Sequence, residues 1–462
     1  MGGILKRPLS VFDPKVEVFD RVCTKVTIFR EIPPTAGLPL YAKDFLSICL
    51  KKNRQSSLEE DFKDYLNAPY AKVTYSGTAA FYIILEGLKG LSSKKTVIIP
   101  SFICPLVPLA IHRASLRVAV CDINKDNFNF DLRKLQALCL NNDDILAIVA
   151  VHLGGIPVDF EEIKQIAGNK EIFIIEDCAQ SLGAVYKDKK VGTLGDFSFF
   201  SLCRGKGLTI YEGGVIVTKK EGGSVKIDAT IERIVNTDFL SETLKILELF
   251  GYWIFYRPEL FWWAFRLPQV FWDWRGGHLR ALTEYFTVGF PLHKISRIRK
   301  SIGHVAFARL DKELDKQRQK ASSYIENLRD IPGVKLITES PEAKATYPYL
   351  TLLFNDPIKC EKAKEAFRNS GLGVFQIYAM AITDYDYLKR IVKNTDSPNG
   401  RFIAQNHITL TTSTFLKDKD LNSVIDTVRN ITYQENRLPA FPPLAESTVG
   451  VIGGIRHRRD RR

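Results

Sequence analysis

The stretch that most constrains this chain runs from Glu171 to Thr218. It opens on the apolar run Ile172–Ile175, whose length and β-branched content predict a buried strand. That run ends on the acidic pair Glu176-Asp177. A second short apolar strand is predicted over Phe197–Phe200, and Glu212-Gly213-Gly214 turns the chain into a third over Val215–Val217. Between the last two lies Lys206 in a glycine-flanked loop, Arg204-Gly205-Lys206-Gly207. An acid at the C-terminal end of a buried strand and a lysine in a following loop suit pyridoxal 5′-phosphate (PLP). The lysine amine can condense with the aldehyde. The carboxylate can keep the pyridine nitrogen protonated, which makes the ring an electron sink.

The rest of the chain reads in order around that stretch. Apolar spacing from Leu40 to Leu66 is helical, with Ser57 and Glu60 as a capping box. Val73-Thr74-Tyr75-Ser76-Gly77-Thr78-Ala79-Ala80-Phe81 follows: a strand end, a glycine turn and the start of a helix over Ala79–Leu88. Free N–H groups at such a helix start suit a phosphate, although Ser-Gly-Thr alone is a weak signal. Strands are predicted over Thr96–Pro100, Leu116–Asp122 and Ile145–Val151, and helices over Leu132–Leu140 and Phe160–Ala167. This alternation predicts βαβ units and a mostly parallel sheet flanked by helices. The motifs fall at strand C-terminal ends, where open α/β sheets place ligands. A single long helix is predicted over Ile302–Leu328. A smaller C-terminal α+β unit follows, with strands over Tyr347–Phe354, Gly371–Tyr378 and Ile408–Thr412 and helices over Ile358–Ser370 and Asp418–Ile431. The organisation is therefore an arm (1–33), a large domain (34–225), an insert (226–296), the long helix with the small domain (297–438), and a basic tail (439–462).

The insert is the unusual part. All five tryptophans (Trp253, Trp262, Trp263, Trp272 and Trp274) lie within residues 249–274, interleaved with Phe and Tyr. Arg257, Pro258, Glu259, Arg266 and Pro268 interrupt the run, which argues against a transmembrane helix. Short Trp- and Phe-rich amphipathic helices with arginine at their edges suit insertion into one leaflet. Flanking Arg275, Arg280, Lys294, Arg297, Arg299 and Lys300 are placed to meet anionic head groups. The competing reading packs the insert on the chain itself or on a second subunit. The net charge of +13 suggests an anionic partner, and no nucleic-acid-binding signature points to DNA or RNA. The eight cysteines form no CxxC and no cluster with histidine, so they read as reduced thiols rather than metal ligands. The N-terminus lacks the apolar core of a signal peptide.

The order IEDxAQ, GxxGD, a serine five residues before a lysine, then EGG and an apolar strand resembles the DegT family of PLP-dependent sugar aminotransferases. Asp177, Gln180, Gly192, Gly195, Asp196, Ser201, Lys206, Glu212, Gly213 and Gly214 carry the match. The likeness runs more weakly from about Pro34 to about Asn430 and fails between about Asn236 and Pro291. It implies the fold type I transferase architecture and catalytic roles for Lys206 and Asp177. It also implies that Gly77, Thr78, Asp177, Gln180, Ser201 and Lys206 bind PLP, with no metal. The amino donor would be an amino acid, glutamate by analogy, and the acceptor a nucleotide-linked keto-sugar in amino-sugar or surface-polysaccharide biosynthesis. The enzyme would be a cytoplasmic homodimer, peripheral to the inner face of the membrane if the insert binds it. A lipid-linked acceptor is the alternative that the insert suggests. A PLP-fold binding protein without catalysis is disfavoured by the intact Asp177, Ser201 and Lys206. Related dehydratases replace the lysine by histidine, so Lys206 favours amino transfer. Two positions depart from the family. Cys104 stands where an aromatic usually covers the ring, leaving Phe102 or His152 as substitutes. The asparagine usually given to the partner's phosphate site is absent from Ile295-Ser296-Arg297, leaving Arg297. His152, in a VHLxGxP-like turn, reads as a structural hydrogen bonder rather than a catalyst.

Overall fold

Runs of β-branched residues become strands covered on both faces. A computed structural model of the protein describes residues 29–50, 57–168, 170–275, 286–393 and 395–433. The basic tail and most of the arm lie outside those residues. The strands are β1 (Tyr70–Thr74), β2 (Thr96–Pro100), β3 (Arg117–Cys121), β4 (Ile145–Val151), β5 (Phe173–Asp177), the short pair β6 (Val185–Tyr186) and β7 (Lys189–Lys190), β8 (Phe197–Ser201) and β9 (Gly214–Thr218). Seven of them form one sheet in the order β1-β9-β8-β5-β4-β2-β3. β3, β2, β4, β5 and β8 are parallel, β9 runs against β8, and β1 runs against β9. In β2, Val97 and Ile99 join one apolar cluster and Ile98 the other. That alternation in a wholly apolar strand is what burial on both faces requires.

Helices cover the sheet: α1 (Ala42–Leu50), α2 (Leu58–Leu66), α3 (Gly77–Leu88), α4 (Leu106–Arg113), α5 (Leu132–Leu140), α6 (Phe160–Ala167) and α7 (Gly223–Ile234). Ser57 caps α2 as expected, accepting from the Glu60 N–H at 3.3 Å, so the helical run over Leu40–Leu66 contains a second helix start. The predicted single helix over Ile302–Leu328 is two helices, Arg297–Phe307 and Leu310–Leu328. The break falls at Arg309, whose guanidinium reaches both carboxylate oxygens of buried Asp44 at 2.7 and 2.8 Å and the Pro39 carbonyl at 3.0 Å. Four more strands follow: β10 (Val334–Ile337), β11 (Ala343–Lys344), β12 (Tyr349–Phe354) and β13 (His407–Thr411). β10, β12 and β13 make a small antiparallel sheet, while β11 pairs with β6. Helices Pro357–Phe367, Pro398–Asn406 and Asp418–Tyr433 accompany that sheet. The strand expected over Gly371–Tyr378 is reduced to one bridge, Phe375 to Thr409.

The insert contains one long helix, α8 (Phe239–Phe255), then a helical run from Pro258 to Trp274 with a π turn at Trp262–Arg266. One face of α8, carrying Glu242, Leu249 and Tyr252, is buried. Phe45 packs on Phe250 and Trp253, and Phe29 stacks on Trp263 at 4.9 Å. Much of the insert therefore packs on this same chain. The opposite face of α8 stays exposed: Leu240 by 74%, Leu244 by 52%, Leu247 by 61% and Ile254 by 44%. No helix among the described residues is long and apolar enough to cross a membrane.

A buried ion pair anchors α8. Fully buried Arg299 meets Glu242 through Nε and Nη2, both at 2.7 Å, and Glu242 also accepts from the Ser296 N–H at 2.8 Å. Removing one partner leaves a buried charge uncompensated, which costs about 3–5 kcal/mol. Glu242→Ala is therefore expected to lower the unfolding free energy in urea titrations by that amount, and an unchanged midpoint would show that α8 is held by packing alone.

Candidate active site

The sheet register assembles the site at one edge. β5 ends on Asp177, which is opposite Val151 of β4 and Phe199 of β8. β8 ends on Ser201, opposite Gly214, and Gly214 is opposite Thr74 at the end of β1. Gly214 must be glycine, because a Cβ there would lie 2.3 Å from the Ser76 carbonyl oxygen. This close approach brings the Ser76 turn against Ser201. Ser76 caps α3 by accepting the Ala79 N–H at 3.0 Å, and its carbonyl takes the Ala80 N–H at 2.9 Å. The N–H groups of Gly77 and Thr78 thus stand at the open end of a twelve-residue helix. That end is ready for an anion.

A cavity of about 520 Å³ opens at this edge, within the range of small-molecule sites. Gly77, Thr78, Asp177, Gln180, Ser201 and Lys206 all line it, so the structure brings together the six residues expected to bind the cofactor. Gln180 is oriented by its neighbours: its amide oxygen accepts from the Gly154 N–H at 2.8 Å and from the Tyr349 hydroxyl at 2.5 Å. Its Nε2 is left as a donor, 3.5 Å from the Tyr378 hydroxyl. The Asp177 carboxylate accepts the Ala179 N–H at 3.0 Å. Burial pushes this carboxyl up to about 6, against the opposing pull of that N–H and of the charge on Lys206.

Glu176, the other half of the acidic pair, turns away and is fully buried. It accepts from the N–H groups of Gly192, Leu194 and Gly195 at 2.7–2.8 Å and lies 3.1 Å from His152 Nε2. The Val158 N–H donates to His152 Nδ1 at 3.2 Å, so the imidazole proton belongs on Nε2, facing Glu176. This is the structural role expected of His152. Buried His152, Glu176 and Cys178 lie close enough to hold a metal ion. The ring nitrogens and the carboxylate, however, are already engaged by protein groups.

One substitute considered from sequence is placed differently. Phe102 is buried among Phe128, Tyr378 and His407, and Cys104 lines the cavity in its stead. Its apolar neighbours turn Phe102 inward, so it cannot cover a ring in the cavity. Arg297 is exposed in the first turn of its helix, while Arg299 is the buried one. Sequence reasoning missed Tyr378, Phe286 and Phe290, which also line the cavity. They come from loops with no motif of their own.

The groups around the cavity match what PLP presents: N–H groups and a hydroxyl for its phosphate, a carboxylate for its ring nitrogen, an amide donor for its phenolic oxygen, and an amine for its aldehyde. The fold and site are those of a fold type I PLP-dependent aminotransferase. Within that class the chain belongs to the DegT/DnrJ/EryC1/StrS aminotransferase family, whose profile matches residues 47–233 and 277–429. An uncharacterised protein of Methanocaldococcus jannaschii is 25% identical over 388 residues, 82% of this chain and 90% of that one. A UDP-4-amino-4,6-dideoxy-N-acetyl-beta-L-altrosamine transaminase of Campylobacter jejuni is 25% identical over 81% of this chain and 88% of its own. GDP-perosamine synthase of Escherichia coli O157:H7 is 32% identical, over 38% of this chain and half of its own. The sugar aminotransferase CalS13 from Micromonospora echinospora shares the fold with a TM-score of 0.66 at 18% identity, covering 86% of this chain and 99% of that one. An E. coli GDP-4-keto-6-deoxy-D-mannose-3-dehydratase with bound hydrated PLP does so at 0.65 and 18%, covering 87% and 100%.

The raised pKa of Asp177 has a consequence for stability. A carboxyl whose folded value lies above its unfolded value costs nothing below about pH 4. Its cost grows as pH rises toward 6 and is constant above. A rise from the ordinary 3.8 to about 6 corresponds to about 3 kcal/mol. Asp177→Asn is thus expected to stabilise the cofactor-free protein by about 2–3 kcal/mol at pH 8 and by less at pH 5. Thermal unfolding at the two pH values checks this, and a pH-independent difference would contradict it.

Proposed function

We propose that this enzyme moves an amino group from L-glutamate to a keto-sugar carried on a nucleoside diphosphate, in amino-sugar or surface-polysaccharide biosynthesis. The observation that carries the reading is that Lys206 and Asp177 face one cavity whose wall is the open end of α3. Relatives named for GDP- and UDP-linked sugars support the acceptor class. The Gly77 and Thr78 N–H groups and the Ser201 hydroxyl would hold the cofactor phosphate. Asp177 would hold the ring nitrogen, Gln180 Nε2 would donate to the phenolic oxygen, and Lys206 would carry the group covalently. Bound there, PLP supplies a carbon that takes up the amino group and a ring that spreads the electron pair left when the donor loses its α proton. Lys206 takes that proton from the donor α-carbon and, in the second half of the reaction, delivers one to the acceptor carbon. Asp177 stays ionised opposite the ring nitrogen. Apolar Ile103, Leu106, Val107 and Phe199 keep water from the reacting carbon. Exposed Arg204 on the rim supplies positive charge for a carboxylate or a diphosphate. The working assembly in this reading is a cytoplasmic homodimer, because sites of this family are built between subunits.

A second reading has its own observation. The exposed stripe Leu240, Leu244, Leu247 and Ile254 gives α8 an uncovered apolar face, and such a face is one that expects cover. In this reading the stripe lies on the inner face of the membrane and the acceptor is lipid-linked.

Two experiments address these readings. An absorbance spectrum should show a visible band that glutamate bleaches and that borohydride fixes on Lys206. Lys206→Ala should lose both properties, and Asp177→Asn should lower kcat by several orders of magnitude. Absence of the band after added PLP would overturn the aminotransferase reading. For the membrane, wild type should sediment with phosphatidylglycerol vesicles and the Leu244→Glu, Leu247→Glu double variant should not, with the visible band retained. Equal sedimentation of the two, or none by wild type, would assign the stripe to another contact.

A further inference from the structure

The family match stops at Arg233, in the last turn of α7, and resumes at 277, so α8 lies outside it. Yet α8 touches the backbone that carries Lys206. The Gly205 N–H donates to the Tyr252 hydroxyl at 3.4 Å. Tyr252 stacks on Tyr256, one helical turn on, with the ring centroids 4.4 Å apart. The Tyr256 hydroxyl donates to the Thr35 carbonyl at 3.2 Å and lies 3.4 Å from the Thr35 hydroxyl. Both tyrosines are buried.

Gly205 fills the space these groups leave. Its φ of +69° suits glycine, and a Cβ there would come within 2.1 Å of Thr35 Oγ1 and 3.0 Å of the Tyr256 hydroxyl. On its other side, a Cβ on Gly37 would meet Gly205 Cα at 3.0 Å. The next residue is held too: the Lys206 carbonyl accepts the Leu38 N–H at 3.3 Å. At the far end of the loop, Lys245 of α8 pairs with Glu212 at 2.9 Å, and Arg299, paired with Glu242 of α8, donates to the Ile210 carbonyl at 3.3 Å. One helix thus grips the lysine loop at both ends.

We propose that α8 is a clamp on the lysine loop, and that Tyr252 and Tyr256 are positioning residues that fix the Lys206 amine through Gly205. The proposal rests on Lys206 being the cofactor lysine. It assigns the inner face of the insert a task separate from whatever covers its outer face. Two stacked, buried tyrosines whose hydroxyls bond two separate backbone segments, at Gly205 and Thr35, form a rigid device, since losing either hydroxyl leaves a buried backbone group without that partner. A lysine on such a loop starts near its reacting position instead of searching for it.

The test uses the full-length protein as wild type, Tyr252→Phe, Tyr256→Phe and, as an outer-face control, Leu247→Gln. In cofactor-free protein, hydrogen exchange over residues 203–208 should quicken about tenfold in the two Phe variants and stay unchanged in the control, with β4 unchanged in all. On addition of PLP, the visible band should grow about tenfold more slowly in the Phe variants, while borohydride still fixes PLP on Lys206. Unchanged exchange over 203–208 with normal growth of the band would overturn the clamp alone. A uniform rise that includes β4 would reduce Tyr252 and Tyr256 to general packing and also overturn it. A wild type that never fixes PLP on Lys206 would overturn the functional reading and the positioning role with it, whatever the exchange shows.

Discussion

A carboxylate with no access to water must be satisfied by the protein, and Glu176 sets much of this site by that rule. It gathers three backbone N–H groups from the segment entering β8 and faces His152 at the end of β4. The loop after β7, the end of β4 and the end of β5 are thereby tied to one point. Asp177 is the next residue along an extended strand, so its side chain points the opposite way, into the cavity. Strand geometry divides the acidic pair: one carboxylate faces the scaffold and its neighbour faces the cavity.

The lysine loop has a second scaffold on the other side. Between Cys203 and Leu208 the chain has glycine on both sides of Lys206, and neither Gly205 nor Gly207 brings a side chain to pack. Its position therefore depends on what it leans against. Here it leans on α8, the segment around Thr35–Leu38 at the start of the large domain and the Arg299–Glu242 pair. The aromatic content of the insert is explained on one side by this contact. Tyrosine gives a large rigid body for burial and a hydroxyl for a backbone partner. The exposed stripe on the other side is a separate property of the same helix.

The large sheet was legible because its strands are apolar runs of the right length between polar turns, with Asp177 and Ser201 at strand ends and Lys206 in the loop that follows. Local patterns of that kind survive folding. The break at Arg309 was not legible. The sequence around it is helical in spacing, and the interruption comes from a guanidinium drawn to Asp44, far away in the chain. Phe102 misled for the same reason: its proximity to the cavity in sequence says nothing about Phe128 and His407, which turn it inward. The expected strand over Gly371–Tyr378 keeps one bridge, to Thr409 on the free edge of β13, because positive φ angles at Gly371, Gly373 and Tyr378 take the segment out of the extended backbone a longer ladder needs.

The sequence by itself determined the strands of the large sheet, the glycine turn and helix that follow β1, and the residue types around the cavity, because each depends on hydrophobic period, turn chemistry or motif spacing within a few dozen residues. Only the tertiary structure decided that Glu176 faces the scaffold and that Arg299 rather than Arg297 is buried. It alone showed that a tyrosine 47 residues beyond Gly205 holds that glycine, and so the lysine after it. Those outcomes depend on which distant groups must share a buried space, and one-dimensional spacing carries no record of that.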